Sequence, residues 1–362
     1  MGKMTKKAFS TRPDRAIAGI FRAITILLCL TTGILSAEPR CLGSEYSRRQ
    51  IADGVSARPG MVAWSPDSRK VVSAGVGLHF YDTETGRQRN LDIGEPLAVA
   101  WSAGGDVSVL YREGEQTFLG MVDHENLVVK KRLKTSADAR FLFPVPGGKT
   151  LLVLASGTRV FKIGTEISYK LFSRQGDETG EKIIYSSGSI YPTIKPDTRV
   201  IDAWTHAGLN PSYCSLLVIE QVKPPVGRLY SRIKGVDCMS GQERPIANTM
   251  HYGAYLSASW SPDGLRAALT DGQGELSILE NGIALPLDVS VRGLYPSWNP
   301  QGSQIYLGGS IVDSDGNNQV ELFPGSPDSI AEWSPDGRKI AVIVGGKLWL
   351  VENFSPRFVS HD

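Results

Sequence analysis

Charge of one sign is what this chain most lacks: across 362 residues, 39 lysines and arginines face 37 aspartates and glutamates, a formal +2. Such balance gives no electrostatic reason to expect a nucleic-acid partner. No G-x-S-x-G segment occurs, which removes the nucleophile elbow of the serine hydrolases. The five histidines (His79, His124, His206, His251 and His361) are scattered, and no pair has metal-ligand spacing, so no metal and no cofactor is expected. Cysteine is scarce, at four residues. No apolar run reaches the roughly 20 residues a membrane helix needs.

The longest such run, Ala23 to Leu35, follows Lys3, Lys6, Lys7, Arg12, Arg15 and Arg22 and ends in Ser36-Ala37. A basic leader, a short apolar stretch and small residues form the pattern of a secretory signal over residues 1–37. Leu35 at the third position before the cut is a mediocre cleavage residue, so a retained anchor stays open. Neither Cys29 nor Cys41 is preceded by the small residues of a lipidation site. Removing residues 1–37 takes six basic residues and Asp14, leaving 33 basic against 36 acidic, a net −3. The expected compartment is periplasmic or secreted, with membrane contact only if the leader is retained. There Cys214 and Cys238 could close a loop of about 25 residues, with two buried free thiols as the alternative. Cys41 is the odd one out.

What the chain has is a returning phrase. Trp64-Ser65-Pro66-Asp67, Trp260-Ser261-Pro262-Asp263-Gly264 and Trp333-Ser334-Pro335-Asp336-Gly337 are clean copies. Trp298-Asn299-Pro300-Gln301-Gly302 and Trp101-Ser102-Ala103-Gly104-Gly105 are looser. Pro146-Gly147-Gly148-Lys149 and Lys195-Pro196-Asp197-Thr198-Arg199 keep only the turn. The spacing is mostly that of a solenoid or propeller. After each phrase comes an apolar run without alternation: Val71-Val72, Leu151 to Leu154, Ala267 to Leu269, Ile340 to Val344. A strand apolar on both faces is covered on both faces, as in blades packed round an axis. A β-sandwich is the competing reading. The five phrase tryptophans (Trp64, Trp101, Trp260, Trp298 and Trp333) are expected to be structural, packing blade on blade.

Trp-Ser-Pro-Asp-Gly-Arg-Lys followed by a β run resembles the WD40-like propeller repeat of the TolB family, over about residues 48 to 352. The resemblance implies an all-β, seven-bladed β-propeller of four-stranded antiparallel blades. TolB has a preceding α/β domain for which Glu38 to Met61 is too short. The prolyl oligopeptidase-type enzymes that share the repeat add a hydrolase domain, which is not found before Asp362. Arg48 to Gly54 reads like Arg87 to Ile93, so the N-terminal strand is expected to close the ring as the outer strand of blade 7, with Arg357-Phe358-Val359-Ser360 competing for the slot. The expected organisation is 1–37 leader, 38–47 linker, 48–355 propeller and 356–362 tail.

Between Asp197 and Trp260 the chain is long and rich in Pro, Gly, Tyr and basic residues. Long loops on a rigid scaffold concentrate binding residues, and Tyr and Arg are favoured anchors. The candidate contacts are His206, Tyr213, Arg228, Tyr230, Arg232, Tyr252 and Tyr255; the competing reading is long hairpins pinned by the disulfide. Asp313-Ser314-Asp315-Gly316-Asn317-Asn318 resembles the start of a calcium loop, but Pro324 stands where the bidentate Glu belongs, so a turn is the better reading. The function expected is a monomeric, non-enzymatic scaffold for an envelope protein or peptide. The alternatives are a small metal-dependent hydrolase of lactonase type and a detached propeller gating a separate hydrolase.

Overall fold

The computed structural model describes residues 46–102, 104–135, 139–144, 150–161, 164–175, 182–187, 199–204, 215–223, 230–237, 240–248 and 255–352. The chain divides into Met1–Ser44 and Glu45–Asp362, and only the second unit contains described residues. The leader, the linker up to Glu45, Cys41, Cys214, Cys238, His206, Tyr213, Arg228, Tyr252 and the competing strand 357–360 lie outside the described residues.

Every regular element among the described residues is a β-strand, and among those residues no helix is long and apolar enough to cross a membrane. An N-terminal strand, β1 (Ser47–Asp53), comes first. The first sheet is β2 (Val62–Trp64), β3 (Lys70–Gly75), β4 (Gly77–Asp82) and β5 (Gln88–Leu91). The second is β6 (Glu95–Trp101), β7 (Val107–Glu113), β8 (Gln116–Asp123) and β9 (Val128–Lys134). The third is β10 (Ala139–Pro144), β11 (Thr150–Phe161), β12 (Gly164–Gln175) and β13 (Lys182–Ser187). The fourth is β14 (Arg199–Trp204), β15 (Ser215–Lys223), β16 (Tyr230–Asp237) and β17 (Glu243–Asn248). The fifth is β18 (Tyr255–Trp260), β19 (Arg266–Asp271), β20 (Leu276–Glu280) and β21 (Ile283–Pro286). The sixth is β22 (Ser297–Trp298), β23 (Gln304–Leu307), β24 (Ser310–Asp313) and β25 (Gln319–Glu321). The seventh holds β26 (Ile330–Trp333), β27 (Lys339–Val344) and β28 (Lys347–Glu352), with β1 antiparallel on the outside of β28. All the pairings are antiparallel between strands adjacent in the chain, except that of β1 with β28.

The core follows from the unbroken apolar runs. In β3, β19 and β27 the four central residues are all buried, so both faces are covered. Outer strands alternate instead: β9 is exposed at every second residue.

The phrase builds the turn between the first two strands of a sheet. In the seventh sheet Gly337 N–H donates to Ser334 O at 2.8 Å, and Ser334 N–H donates to Lys339 O at 2.9 Å. The buried Ser334 Oγ accepts from Lys339 N–H at 2.9 Å and lies 2.6 Å from Asp336 Oδ1, which itself accepts from Arg338 N–H at 3.0 Å. Ser65 and Ser261 repeat this scheme. In the looser sixth copy the side-chain oxygen Oδ1 of Asn299 takes over, accepting from the Ser303 and Gln304 N–H groups. Gly264, Gly302 and Gly337 close their turns at φ near +70°, a conformation that glycine enters without a Cβ penalty. Ser68 stands at this place in the first copy, at φ 60°, and spends its hydroxyl on Asp336 N–H of the seventh sheet, 3.0 Å away.

Three of the five phrase tryptophans link sheets through their indole N–H. Trp64 Nε1 donates to Glu332 O (2.8 Å), Trp333 Nε1 to Ser297 O (3.1 Å) and Trp298 Nε1 to Ser259 O (3.0 Å). Each reaches the residue before the tryptophan of the preceding sheet. Trp101 turns back to Gly105 O of its own turn at 2.9 Å, and Trp260 Nε1 is buried without a partner. Inner strands also pack sheet to sheet, β2 on β26, β26 on β22, β22 on β18, and β6 on both β2 and β10, while β18 packs on the second strand of the fourth sheet, β15.

One boundary differs from the sequence reading. Lys195 to Arg199 is expected to be the turn after the fourth inner strand, whereas that strand is β14, which begins at Arg199 and ends at Trp204. Trp204 therefore holds the phrase position. The cause is length taken up earlier: β11 and β12 form a hairpin of two 12-residue strands, which pushes the fourth sheet later in the chain.

Candidate functional site

Inner strands place one residue each, just before the phrase tryptophan, around a common space. Ala63, Ala100, Ser259, Ser297 and Glu332, and Phe143 at the matching place before Pro144 in β10, all line one cavity of about 490 Å³, together with Trp64, Trp101, Trp260, Trp298 and Trp333. Ala203 holds the same sequence position in β14. Strand alternation explains the arrangement: if the tryptophan turns into the sheet interface, its predecessor faces the other way, into the channel.

Five of the six lining residues at this level are small or apolar, and the sixth is a carboxylate. Glu332 keeps solvent contact, in β26 between the buried Ala331 and Trp333. Its side chain faces the channel, whose walls crowd round it. That confinement disfavours the charged form and pushes the Glu332 carboxyl up to about 7. No cation among the described residues offsets it. Tyr295 also lines the channel; burial, aided by the charge of Asp328, raises its phenol.

The loop residues expected to bind fare differently. Tyr230 opens β16 and is half-buried; Arg232 lies two residues on, opposite Glu220 and Asn248. They share one face of one strand. Tyr255 is 1% exposed: its N–H donates to Ser231 Oγ at 2.8 Å and its hydroxyl lies 3.1 Å from Ser277 Oγ. Tyr255 is a core residue, which leaves it no surface to offer a partner. Of the phrase tryptophans, Trp64, Trp101, Trp298 and Trp333 are buried and Trp260 is partly so. The segment Asp313 to Asn318 joins β24 to β25 as a turn, with Gly316 at φ 83° and Asn317 Nδ2 donating to Asp315 at 2.7 Å.

Glu332 escapes a reading that looks for clusters. The signal lies in the repeat itself: stacking the phrases puts Ala, Ala, Phe, Ala, Ser, Ser and Glu in one column.

No family model matches the chain, and no curated protein matches it. Solved structures do. The Cps50 (Swd1) β-propeller domain of Myceliophteria thermophila superposes with a TM-score of 0.57 at 16% identity, covering 84% of this chain and 99% of that one. A chain of the mitotic checkpoint complex gives 0.56 at 13% identity, covering 84% and 92%. Hydrazine synthase of Kuenenia stuttgartiensis gives 0.55 at 18% identity, covering 80% and 93%. The chain has the fold of a WD40-like β-propeller. The space ringed by the inner strands is then the propeller's axial channel, and Glu332 stands on its wall.

Proposed function

We propose that this propeller is a non-enzymatic binding scaffold of the cell envelope, and that a basic side chain of a protein or peptide enters its channel to meet Glu332. The observation that carries the reading is the lone carboxylate in a ring of small and apolar residues, without a described cation beside it. A carboxylate confined among small and apolar residues without a counter-charge is disfavoured as an ion, and a cation delivered by a partner offsets that. Propeller architecture supports it: rigid sheets hold loops and a channel mouth in fixed places, the setting in which binding residues concentrate.

The scaffold is proposed as seven blades, one per sheet, closed into a ring by β1. The pairing of β1 with β28 and the bond from Trp64 to Glu332 support that closure. Export rests on the leader at residues 1–37, with residues 48–355 as the propeller and monomeric behaviour expected. Oxidation of Cys214 with Cys238 is part of the same proposal; these residues abut Ser215 and Asp237, which face each other across β15 and β16. Thiol counting on the purified mature chain, with one free cysteine expected instead of three, tests it. Tyr230 and Arg232, with His206, Tyr213, Arg228 and Tyr252, remain a second proposed contact surface.

Fluorescence anisotropy with Lys- and Arg-containing peptides, beside acidic and neutral controls, tests the channel reading. The wild type is expected to prefer the basic peptides at low salt, and Glu332→Gln to lose on the order of tenfold in affinity, about 1.4 kcal/mol. Equal binding of acidic and basic peptides, or an unchanged Glu332→Gln, refutes it.

One observation favours the hydrolase alternative. A carboxyl near 7 suits proton transfer at neutral pH. That reading requires turnover of lactone or ester substrates with a pH profile that inflects near 7 and is lost in Glu332→Gln.

A further inference from the structure

A second polar cavity lies away from the channel, between the outer parts of the first and seventh sheets. It measures about 300 Å³, and Gln50 and Asp53 of β1 face Ser73, His79 and Asn90 of the first sheet across it. Ser73, His79 and Asn90 form one row across β3, β4 and β5, for Ser73 pairs with His79 and His79 with Asn90.

The row departs from the pattern of the other sheets. Counting from the residue paired with the phrase tryptophan, the place of Ser73 is held by Val109, Leu269, Leu307 and Val342 in the second, fifth, sixth and seventh sheets. All four are fully buried and apolar. Ser73 is equally buried, yet its Oγ has no hydrogen-bond partner, and neither has the buried Nε2 of His79 beside it. Buried polar atoms are rarely left so. His79 Nδ1 lies 3.0 Å from the Asn90 side-chain oxygen, an acceptor. With the neutral ring's hydrogen on Nδ1, Nε2 is left as an acceptor whose lone pair is unmet. Across the cleft Asp53 Oδ1 accepts from Gln50 Nε2 at 2.8 Å.

We propose that this cleft binds a neutral, hydroxyl-rich small molecule of about the size of a monosaccharide. The chemistry follows from what the walls lack. Nε2 needs a donor, and the Ser73 hydroxyl needs an acceptor for its hydrogen. A ligand hydroxyl is both. An ammonium only donates, leaving the Ser73 hydrogen unmet. An anion meets the Asp53 carboxylate. A metal finds two ligand-type residues, His79 and Asp53, where a held ion needs more. Water alone would fill the space with on the order of ten molecules at ~30 Å³ each, and that is the outcome the test must separate.

The test titrates the full chain with D-glucose, D-ribose and myo-inositol, following the His79 ring signals by ¹H–¹³C NMR and identifying them by their loss in His79→Gln. At least one probe is expected to shift the His79 signals saturably. Ser73→Val should weaken that binding about tenfold or more while keeping or raising the Tm, because four other sheets fold with Val or Leu at this place. Absence of a saturable shift with all three probes overturns the proposal and leaves a hydrated cleft. So does an affinity unchanged in a folded Ser73→Val.

Discussion

A single buried oxygen, Ser334 Oγ, organises the turn after Trp333. Ser334→Ala strips the Lys339 N–H of its partner and Asp336 of its hydroxyl contact. The cost of such an unmet buried donor is roughly 1–2 kcal/mol, read as a lower urea midpoint at unchanged m. The carboxylates of these turns also set an acid limit. The Ser65 hydroxyl first, and the Arg69 N–H with it, hold the Asp67 carboxyl below its ordinary value; Ser261 does the same for Asp263. At Asp336 burial pushes upward most, but the Ser334 hydroxyl, the Arg338 N–H and the Lys339 and Arg338 charges together outweigh it. A carboxyl depressed on folding stabilises above its unfolded value near 3.9 and loses that stabilisation as pH falls through the folded value. Unfolding midpoints are therefore expected to drop below about pH 4, and less steeply in an Asp67→Asn/Asp263→Asn double variant. Glu332 has the opposite sign. Its folded value is raised to about 7, so stability declines from about pH 4.3 to about 7 as the confined carboxyl ionises. Glu332→Gln should match the wild type below pH 4 and exceed it above pH 7, in melting curves taken across that range.

At the scale of the element, β1 carries the clearest prediction. Only Ile51 of its seven residues is buried, so its hold comes from pairing and from its arginines. Arg49 lies 3.6 Å from Glu352 and stacks on Tyr81, while Arg48 bonds Leu322 O and stacks on Phe323. Deleting residues 45–54 exposes the β28 edge, Lys-Leu-Trp-Leu-Val-Glu, an apolar strand open to foreign pairing. The shortened chain should melt lower and associate, by scattering and gel filtration; equal stability would show that β1 is dispensable. The pairing of such remote segments was legible because Arg48 to Gly54 and Arg87 to Ile93 look alike. Inner strands were legible wherever Trp-Ser-Pro-Asp survived, because that phrase encodes its own turn. The fourth sheet was not, since Trp204-Thr205-His206-Ala207-Gly208 keeps the tryptophan but loses the serine and aspartate that make the turn. Tyr255 misled for another reason: a tyrosine at the end of the long segment between Asp197 and Trp260 looks like a loop residue, and only tertiary packing shows its hydroxyl turned inward. The Ser73 row is invisible along the chain, because its members are 6 and 11 residues apart and meet only through strand register.

For the whole molecule, equivalent sheets carry equivalent parts, so individuality lies in the exceptions. Trp64, Trp298 and Trp333 pass one hydrogen bond each to the preceding sheet, and replacing Trp64 by Phe should cost about 1 kcal/mol at the junction of the first and last sheets. The same junction is held by Lys339, whose Nζ donates to Ser68 O at 3.2 Å and to Thr83 Oγ1 at 2.7 Å. The order of synthesis gives this junction a further meaning. Of the described strands, β1 is the first to leave the ribosome, yet its partner β28 is the last to be made. For most of translation, and through any transit of the chain across a membrane, Ser47–Asp53 has nothing to pair with. Contacts of such long sequence separation slow folding. A nascent chain stalled anywhere before Lys347 would carry an orphan strand at one end and an unsealed sheet at the other, the species that a holding chaperone would recognise.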